Sequence, residues 1–257
     1  GGLTFATKDA GKTFTYKVVE NDAGQGGYTY DSTYWEVEIA VKKRGDGSLY
    51  TVTTAKHYGA NGVEDVHDAK TFSSENGVAK AQVFFTNSYA ATGTFDGLTA
   101  EKVMDSGDKI EAGQYTFDLY AEKADGSLEK MDGGATQTGE GGIATVDFGK
   151  VNFKLGNAAG ESNEQTIDLA SAVNDGVATK RHNADHTTTY SFNLVAKERM
   201  ANLPEGVRPV DTSATCRVLL EVTDNNNGKL TSKVTYRDGT ENGKIVFHNT
   251  RDKVKTI

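Results

Sequence analysis

One pattern occurs twice in this chain, and it decides most of what the chain can fold into. An alternating run ends in glutamate, an aspartate-bearing turn follows, two more strand-like runs come next, and a last run closes on Phe-x-Asn. The first copy reads FTYKVVE (14–20), a turn with Asp31, a run through Trp35, Val37, Ile39 and Val41, then Leu49–Thr54, and VFFTNSY (83–89). The second reads YSFNLVAKE (190–198), a turn with Asp211, Cys216–Val222, Leu230–Tyr236, and IVFHNT (245–250). Strand side chains alternate faces, so Val83, Phe85, Asn87 and Tyr89 share one side, as do Ile245, Phe247 and Asn249. The apolar members point that side to a core and carry Asn87 and Asn249 to its edge. A carboxamide placed there needs a partner.

A repeat of this kind predicts tandem domains. The runs are rich in Tyr, Phe, Thr and Val, and are punctuated by Asp46-Gly47, Asp125-Gly126 and Asp238-Gly239, which are hairpin signals. With 29 Gly against 2 Pro, the expectation is all-β, as tandem β-sandwiches. Val146–Phe153 matches Gly1–Phe5, so the first copy is expected to be incomplete at its N-terminus. The expected domains are 1–92, lacking a first strand, and 93–250, complete, with 251–257 a linker and the break near Ala90–Gly93. Residues 57–76 read as a polar excursion. Between Lys154 and Thr187 lies an insertion in which Ser162-x-x-Gln165 predicts the start of a short helix.

The formal net charge is −8 with no basic patch, which argues against nucleic acid and anionic membranes as partners. No apolar run approaches membrane-spanning length. Cys216 is the only cysteine and has the parity of Ala214, Val218, Leu220 and Val222, so a small buried hydrophobe is expected. Arg44-Gly45-Asp46 spells an integrin-type tripeptide, but the Asp-Gly step accounts for it as a turn. Asp224–Gly228 lacks the later glutamate of a calcium loop. The five histidines have no metal-ligand spacing, and Leu203-Pro204-Glu205-Gly206 reads as a loop. No cofactor or metal is expected, and no Ser/His/Asp arrangement points to an enzyme.

Chemistry enters through Lys102. Leu98, Ala100, Lys102 and Met104 share a face, which puts a lysine on the apolar side; Glu198 and Asn249 take similar inward places on their own strands. A single such residue is ordinarily an edge position whose tip reaches solvent. The recurrence of Glu (Glu20, Glu198) and Asn (Asn87, Asn249) at matching places favours a joint role. Desolvation penalises the charged amine, leaving a nucleophile. For a carboxyl it favours the acid form, which can polarise an amide and pass a proton to departing ammonia. A buried Lys, Glu and Asn can therefore form an intramolecular isopeptide bond once per molecule, with folding supplying the proximity.

The ordered set of motifs resembles the isopeptide-linkage domain of Gram-positive pilins, the FctA-type, streptococcal T-antigen-like backbone family. The second copy shows Lys102, EAGQYTFDL, TYSFNLVAKE, VDTSATCRVLLEVTDNNNGKL and IVFHNT; the first shows FTYKVVE, YTYDSTYWEVEIAV, GDGSL and VFFTNSY. The resemblance implies inverse immunoglobulin-like (CnaB-type) sandwiches, with Lys102 and Asn249 the bonded pair and Glu198 the catalytic acid. It implies that Glu20 and Asn87 are the acid and the amide of the first copy, which has no Lys-bearing strand here. Val210 stands where the family has tyrosine, and neither a pilin-motif lysine nor a sorting signal is present.

The implied function is a structural stalk of an extracellular, cell-wall-attached pilin or adhesin, with neighbouring domains of the same protein as partners. The cross-link is expected to stabilise by roughly 4–5 kcal/mol, by analogy with disulfides. The alternative is an adhesin module binding a host glycan or matrix protein through Trp35 or exposed Tyr, although the parity of Trp35 with Val37 and Ile39 favours the core.

Overall fold

The computed structural model describes residues 2–74, 82–160, 165–210 and 215–252. Asp211, Ala214, Ser162 and the end of the expected linker lie outside them. The regular structure is nearly all β, and among the described residues no helix is long and apolar enough to cross a membrane. Two compact units divide between Ser88 and Tyr89. The expected break near Ala90–Gly93 falls inside a strand, which ties those residues to the second unit.

The first unit contains β1 (Thr13–Val19), β2 (Tyr28–Thr29), β3 (Tyr34–Lys43), β4 (Leu49–Tyr58) and β5 (Glu64–Ser74). β1, β3, β4 and β5 form one antiparallel sheet in that order. Opposite residues set its apolar face: Phe14 faces Ile39, Tyr16 faces Val37, and Val18 faces Trp35. The Arg44–Ser48 turn closes through the Arg44 N–H to Ser48 O, with Gly47 at φ 91°. Asp46 accepts from the Ser48 N–H and hydroxyl, so the tripeptide aspartate serves its own turn.

Two expectations fail in this unit. Residues 64–74 form β5 within the expected polar excursion. The strand lies at the sheet edge, Val66 is exposed, and a register shift between Ala55 and His57 breaks the alternation a sequence reading relies on. Conversely, 83–89 is not one strand: residues 82–87 carry no ladder and Asn87 is exposed. The run at Asn249 has strands on both sides; among the described residues, none flanks 82–87 in this unit.

The second unit opens with β6 (Ser88–Phe95), β7 (Thr99–Met104), β8 (Thr116–Glu122), β9 (Leu128–Thr136), β10 (Ile143–Asp147) and β11 (Val151–Gly156). Next come β12 (Thr166–Asp168), the helix α1 (Leu169–Asn174), β13 (Thr179–His182), β14 (Thr188–Glu198) and β15 (Val207–Pro209). It ends with β16 (Thr215–Asp224), β17 (Leu230–Tyr236), β18 (Thr240–Glu241) and β19 (Lys244–Arg251). The main sheet runs β15-β19-β7-β10-β9-β8-β14-β16-β17 and curls on itself, while β6 pairs with β11 and β11 with β12. Arg251 belongs to β19, and the Asp252 N–H donates to Gly206 O. These two residues therefore fold with the domain and not as linker.

The alternations expected of the second copy hold. Leu98, Ala100, Lys102 and Met104 are buried, as are Tyr115, Phe117 and Leu119, and Ile245, Phe247 and Asn249. The helix starts later than expected. Asp168, not a box at 162–165, caps α1 by accepting the Ser171 N–H, while Gln165 reaches Met131 O. Cys216 is buried as expected, and burial pushes its thiol up to about 11. Asp224 accepts from Tyr89 Oη at 2.6 Å and from the Asn226 N–H, so the DNNNG segment is a hydrogen-bonded turn.

Candidate functional site

Lys102 lies in mid-β7, between Ala144 of antiparallel β10 and Phe247 of parallel β19. Asn249 is two residues beyond Phe247 on the same inward face. Glu198 ends β14, which is reached from β7 in the sheet only across β10, β9 and β8. The curl of the sheet brings its carboxylate back over the core to the lysine. Lys102 and Asn249 are fully buried and Glu198 is 5% exposed.

Lys102 Nζ is 2.8 Å from Glu198 Oε1, close but poorly aligned for a hydrogen bond. Asn249 Nδ2 donates to that same oxygen at 3.1 Å. Glu198 Oε2 and Asn249 Oδ1 are buried without partners among the described residues, a costly state for a site serving stability alone. The Tyr115 ring lies under the amine at 4.9 Å, and Phe117 packs on Phe247 at 4.8 Å between centroids. Burial lowers Lys102 to about 8, and the Glu198 charge opposes the shift only in part.

The end of β14 is held from its outer face. Arg199 donates through Nε and Nη2 to both oxygens of Asp118, at 2.8 and 2.6 Å, and Lys130 pairs with the same carboxylate. The Arg199 guanidinium holds Asp118 down at about 2 despite its burial. Because Glu198 precedes Arg199, this fork fixes the register that aims Glu198 inward. Neither Asp118 nor Tyr115 stood out as a site residue in the sequence; an Asp opposite Lys197 becomes visible only from strand pairing.

The first unit assembles the other pair. Asn87 Nδ2 donates to Glu20 Oε1 at 2.7 Å, repeating the Asn249–Glu198 contact. The Asp31 N–H donates to Asn87 Oδ1 at 2.9 Å and to Glu20 Oε2 at 3.1 Å. Asp31 Oδ2 in turn accepts the Thr86 N–H at 2.7 Å, fastening the 82–87 segment. Asn87 is exposed and Glu20 half-buried, and among the described residues Glu20 has no ion pair. The Asp31 donor is a main-chain N–H, so no side-chain pattern in the sequence marks it.

Trp35 is fully buried, donates Nε1–H to Phe84 O and stacks on His57 at 4.5 Å, so it offers no exposed platform. His57 meets Asp65 and Asp68 closely enough for a shared cation, a cluster that histidine spacing did not reveal. Its ring nitrogens are already engaged by Asp68 and Thr33, which accounts for the grouping without an ion.

What the second unit can do chemically is limited and specific: present an amine, an amide and a carboxyl to one another in a dry interior. A search of curated proteins returned no match. The model of the Spy0128-like isopeptide-containing domain (FctA) matches residues 1–90 and 98–252. Domains of this pilin family are structural, not catalytic enzymes. By that match over nearly its whole length, the chain belongs to the family of Spy0128-like isopeptide-containing domains.

Proposed function

We propose that this chain is a load-bearing segment of a Gram-positive surface pilin or adhesin, in which Lys102 and Asn249 of the second unit join in an autocatalytic isopeptide bond assisted by Glu198. The observation that carries the reading is the single oxygen, Glu198 Oε1, that meets both Lys102 Nζ and Asn249 Nδ2. From that position the carboxylate takes a proton from the ammonium, freeing the amine to attack Asn249 Cγ. The protonated acid then gives a proton to Nδ2 and takes back the second proton of the attacking nitrogen. The new C–N bond forms as the old one breaks, and ammonia leaves. No redox partner or cofactor is involved.

Parallel pairing of β7 and β19 gives the bond a mechanical role. Tension from the N-terminal end of β7 to the C-terminal end of β19 shears these neighbours, and a covalent link between them carries that load past the hydrogen bonds. Intact mass tests the reading. Wild-type protein is expected to be lighter than its sequence by one ammonia, and Glu198→Ala is expected to show the full mass. A wild-type chain of full mass refutes the bond.

A further inference from the structure

The outer face of the main sheet in the second unit holds a cavity that takes no part in the chemistry of Lys102. Leu194 and Val218 are buried on the core side of β14 and β16, so Asn193 and Arg217 stand on the opposite face. Ala121, paired with Leu194 and equally buried, puts Glu122 on that outer face as well. Arg237 follows β17 and lies across from Arg217. Its N–H donates to Arg217 O at 2.9 Å, and the Arg217 N–H donates to Asp238 O at 2.8 Å. The side chains of Glu122, Asn193, Arg217, Arg237 and Asp238 thus meet across adjacent strands β8, β14, β16 and β17, where they line a cavity of about 450 Å³.

The charges in this cavity are only half matched. Arg217 donates through Nη1 to Glu122 Oε2, which accounts for one pair. Arg237 donates through Nη1 to Asn193 Oδ1 at 3.3 Å, a long contact to a neutral oxygen. Among the described residues neither Arg237 nor Asp238 has an ion-pair partner. A planar guanidinium with one N–H so engaged keeps the fork that grips a carboxylate at two points. The wall that carries it is fixed. Gly239 has φ +75°, and an added Cβ there would meet Thr215 O at 2.3 Å. Gly239 O also accepts from Cys216 Sγ at 2.7 Å. Arg237 and Asp238 are therefore presented from a closely packed turn, which lowers the entropy cost of binding.

We propose that this cavity binds an acidic sugar, the carboxylate-bearing unit of a glycan. Arg237 takes the ligand carboxylate, and the carboxylates of Asp238 and Glu122 accept from its hydroxyls. A neutral sugar leaves the Arg237 guanidinium unmatched. A bare phosphate or sulfate brings charge without hydroxyl donors and meets two carboxylates. The volume falls within the range of small-ligand sites, roughly 300–1,000 Å³, and accommodates one sugar unit. Asn193, Arg237 and Asp238 are exposed, so each site binds weakly, and selectivity comes from requiring an anion and hydroxyls together. Lys102, Glu198 and Asn249 face the opposite side of the sheet, and the inference stands apart from the bond they are proposed to form.

The test titrates the full chain with the methyl glycosides of glucuronic acid and N-acetylneuraminic acid and follows backbone and arginine side-chain NMR shifts. At least one of the two is expected to move the resonances of Asn193, Arg217 and Arg237 and to saturate in the millimolar range. Methyl glucoside and acetate are expected to bind at least tenfold more weakly. Arg237→Gln is expected to weaken binding at least tenfold and Asp238→Asn several-fold. Lys233 is an exposed cation on the same face, opposite Glu221 and outside the cavity, and Lys233→Gln is expected to bind like wild type. The unliganded spectrum of each variant checks its fold. Absence of shifts with both sugar acids overturns the inference, as does acetate or methyl glucoside binding equally well. Equal losses in Arg237→Gln and Lys233→Gln overturn it too, because they show attraction to the general charge of the face. The intact mass of the same sample reports on the Lys102–Asn249 bond separately.

Discussion

Lys102 and Glu198 approach to 2.8 Å although three strands separate their own in the sheet. Only closure of the curled sheet makes that contact, so it reports completed folding. An amine in such a place stays inert until the domain is assembled, and then meets its partners all at once. On the proposed reading, folding comes first and covalent closure second.

The proposed cross-link closes a loop from Lys102 to Asn249 through nearly the whole second unit. Treated like a disulfide spanning that length, it removes about 5 kcal/mol of chain entropy from the unfolded state. Glu198→Ala and Asn249→Ala are therefore expected to unfold well below wild type by calorimetry. Lys102→Met, which replaces the amine with an apolar chain of similar length, is expected to lose the bond but recover part of the stability.

Lys102 also gives the unbonded domain a pH signature. Its folded value, about 8, lies below its ordinary 10.5. Between these values the unfolded chain binds the proton and the folded one does not, so stability rises with pH across that window; below about 8 the full cost of the buried charge remains. The comparison is Asn249→Ala against Asn249→Ala/Lys102→Met in urea unfolding from pH 7 to 9.5. The variant retaining Lys102 is expected to gain on the other as pH rises, and equal slopes contradict the assignment.

The Asp118–Arg199 fork predicts a smaller effect. Asp118→Asn removes the charge from a half-open pair, so a loss of about 1 kcal/mol is expected in denaturant unfolding. Asp118 touches none of the reacting atoms, and the ammonia deficit is expected to persist.

Gly97, just before β7, has φ +99° and no room for a methyl group: an added Cβ meets Gly149 O at 1.9 Å. Gly126, in the turn between β8 and β9, has φ +82° with nothing within 4 Å. Gly126→Ala is expected to cost about 1 kcal/mol from backbone strain alone. Gly97→Ala is expected to cost several-fold more and to displace the Lys102 strand, measured as lower Tm and slower bond formation on refolding.

The second unit was legible because the neighbouring strands β7 and β19, which carry Lys102 and Asn249, bury every second residue. Lys102 could be placed inward by parity with Leu98, Ala100 and Met104, and Glu198 and Asn249 by the repeat. The sequence does not show what depends on pairing. Asp118 becomes relevant only once β8 lies beside β14, and the Asp31 N–H is a main-chain donor with no side-chain signal. β5 escaped because an edge strand bearing Glu64, Asp65, His67, Asp68 and Lys70 has no apolar period to read. The run 83–89 misled for the opposite reason. Its alternation is real at Val83 and Phe85, which are half-buried, but alternation alone does not supply the neighbour a strand needs.

The central claim concerns one covalent bond, and fragmentation of a proteolytic digest addresses it directly. The account predicts a branched species joining the Lys102 peptide to the Asn249 peptide, lighter than their sum by one ammonia and missing from Glu198→Ala. Recovery of the two peptides only as separate, unmodified fragments from wild-type protein contradicts it.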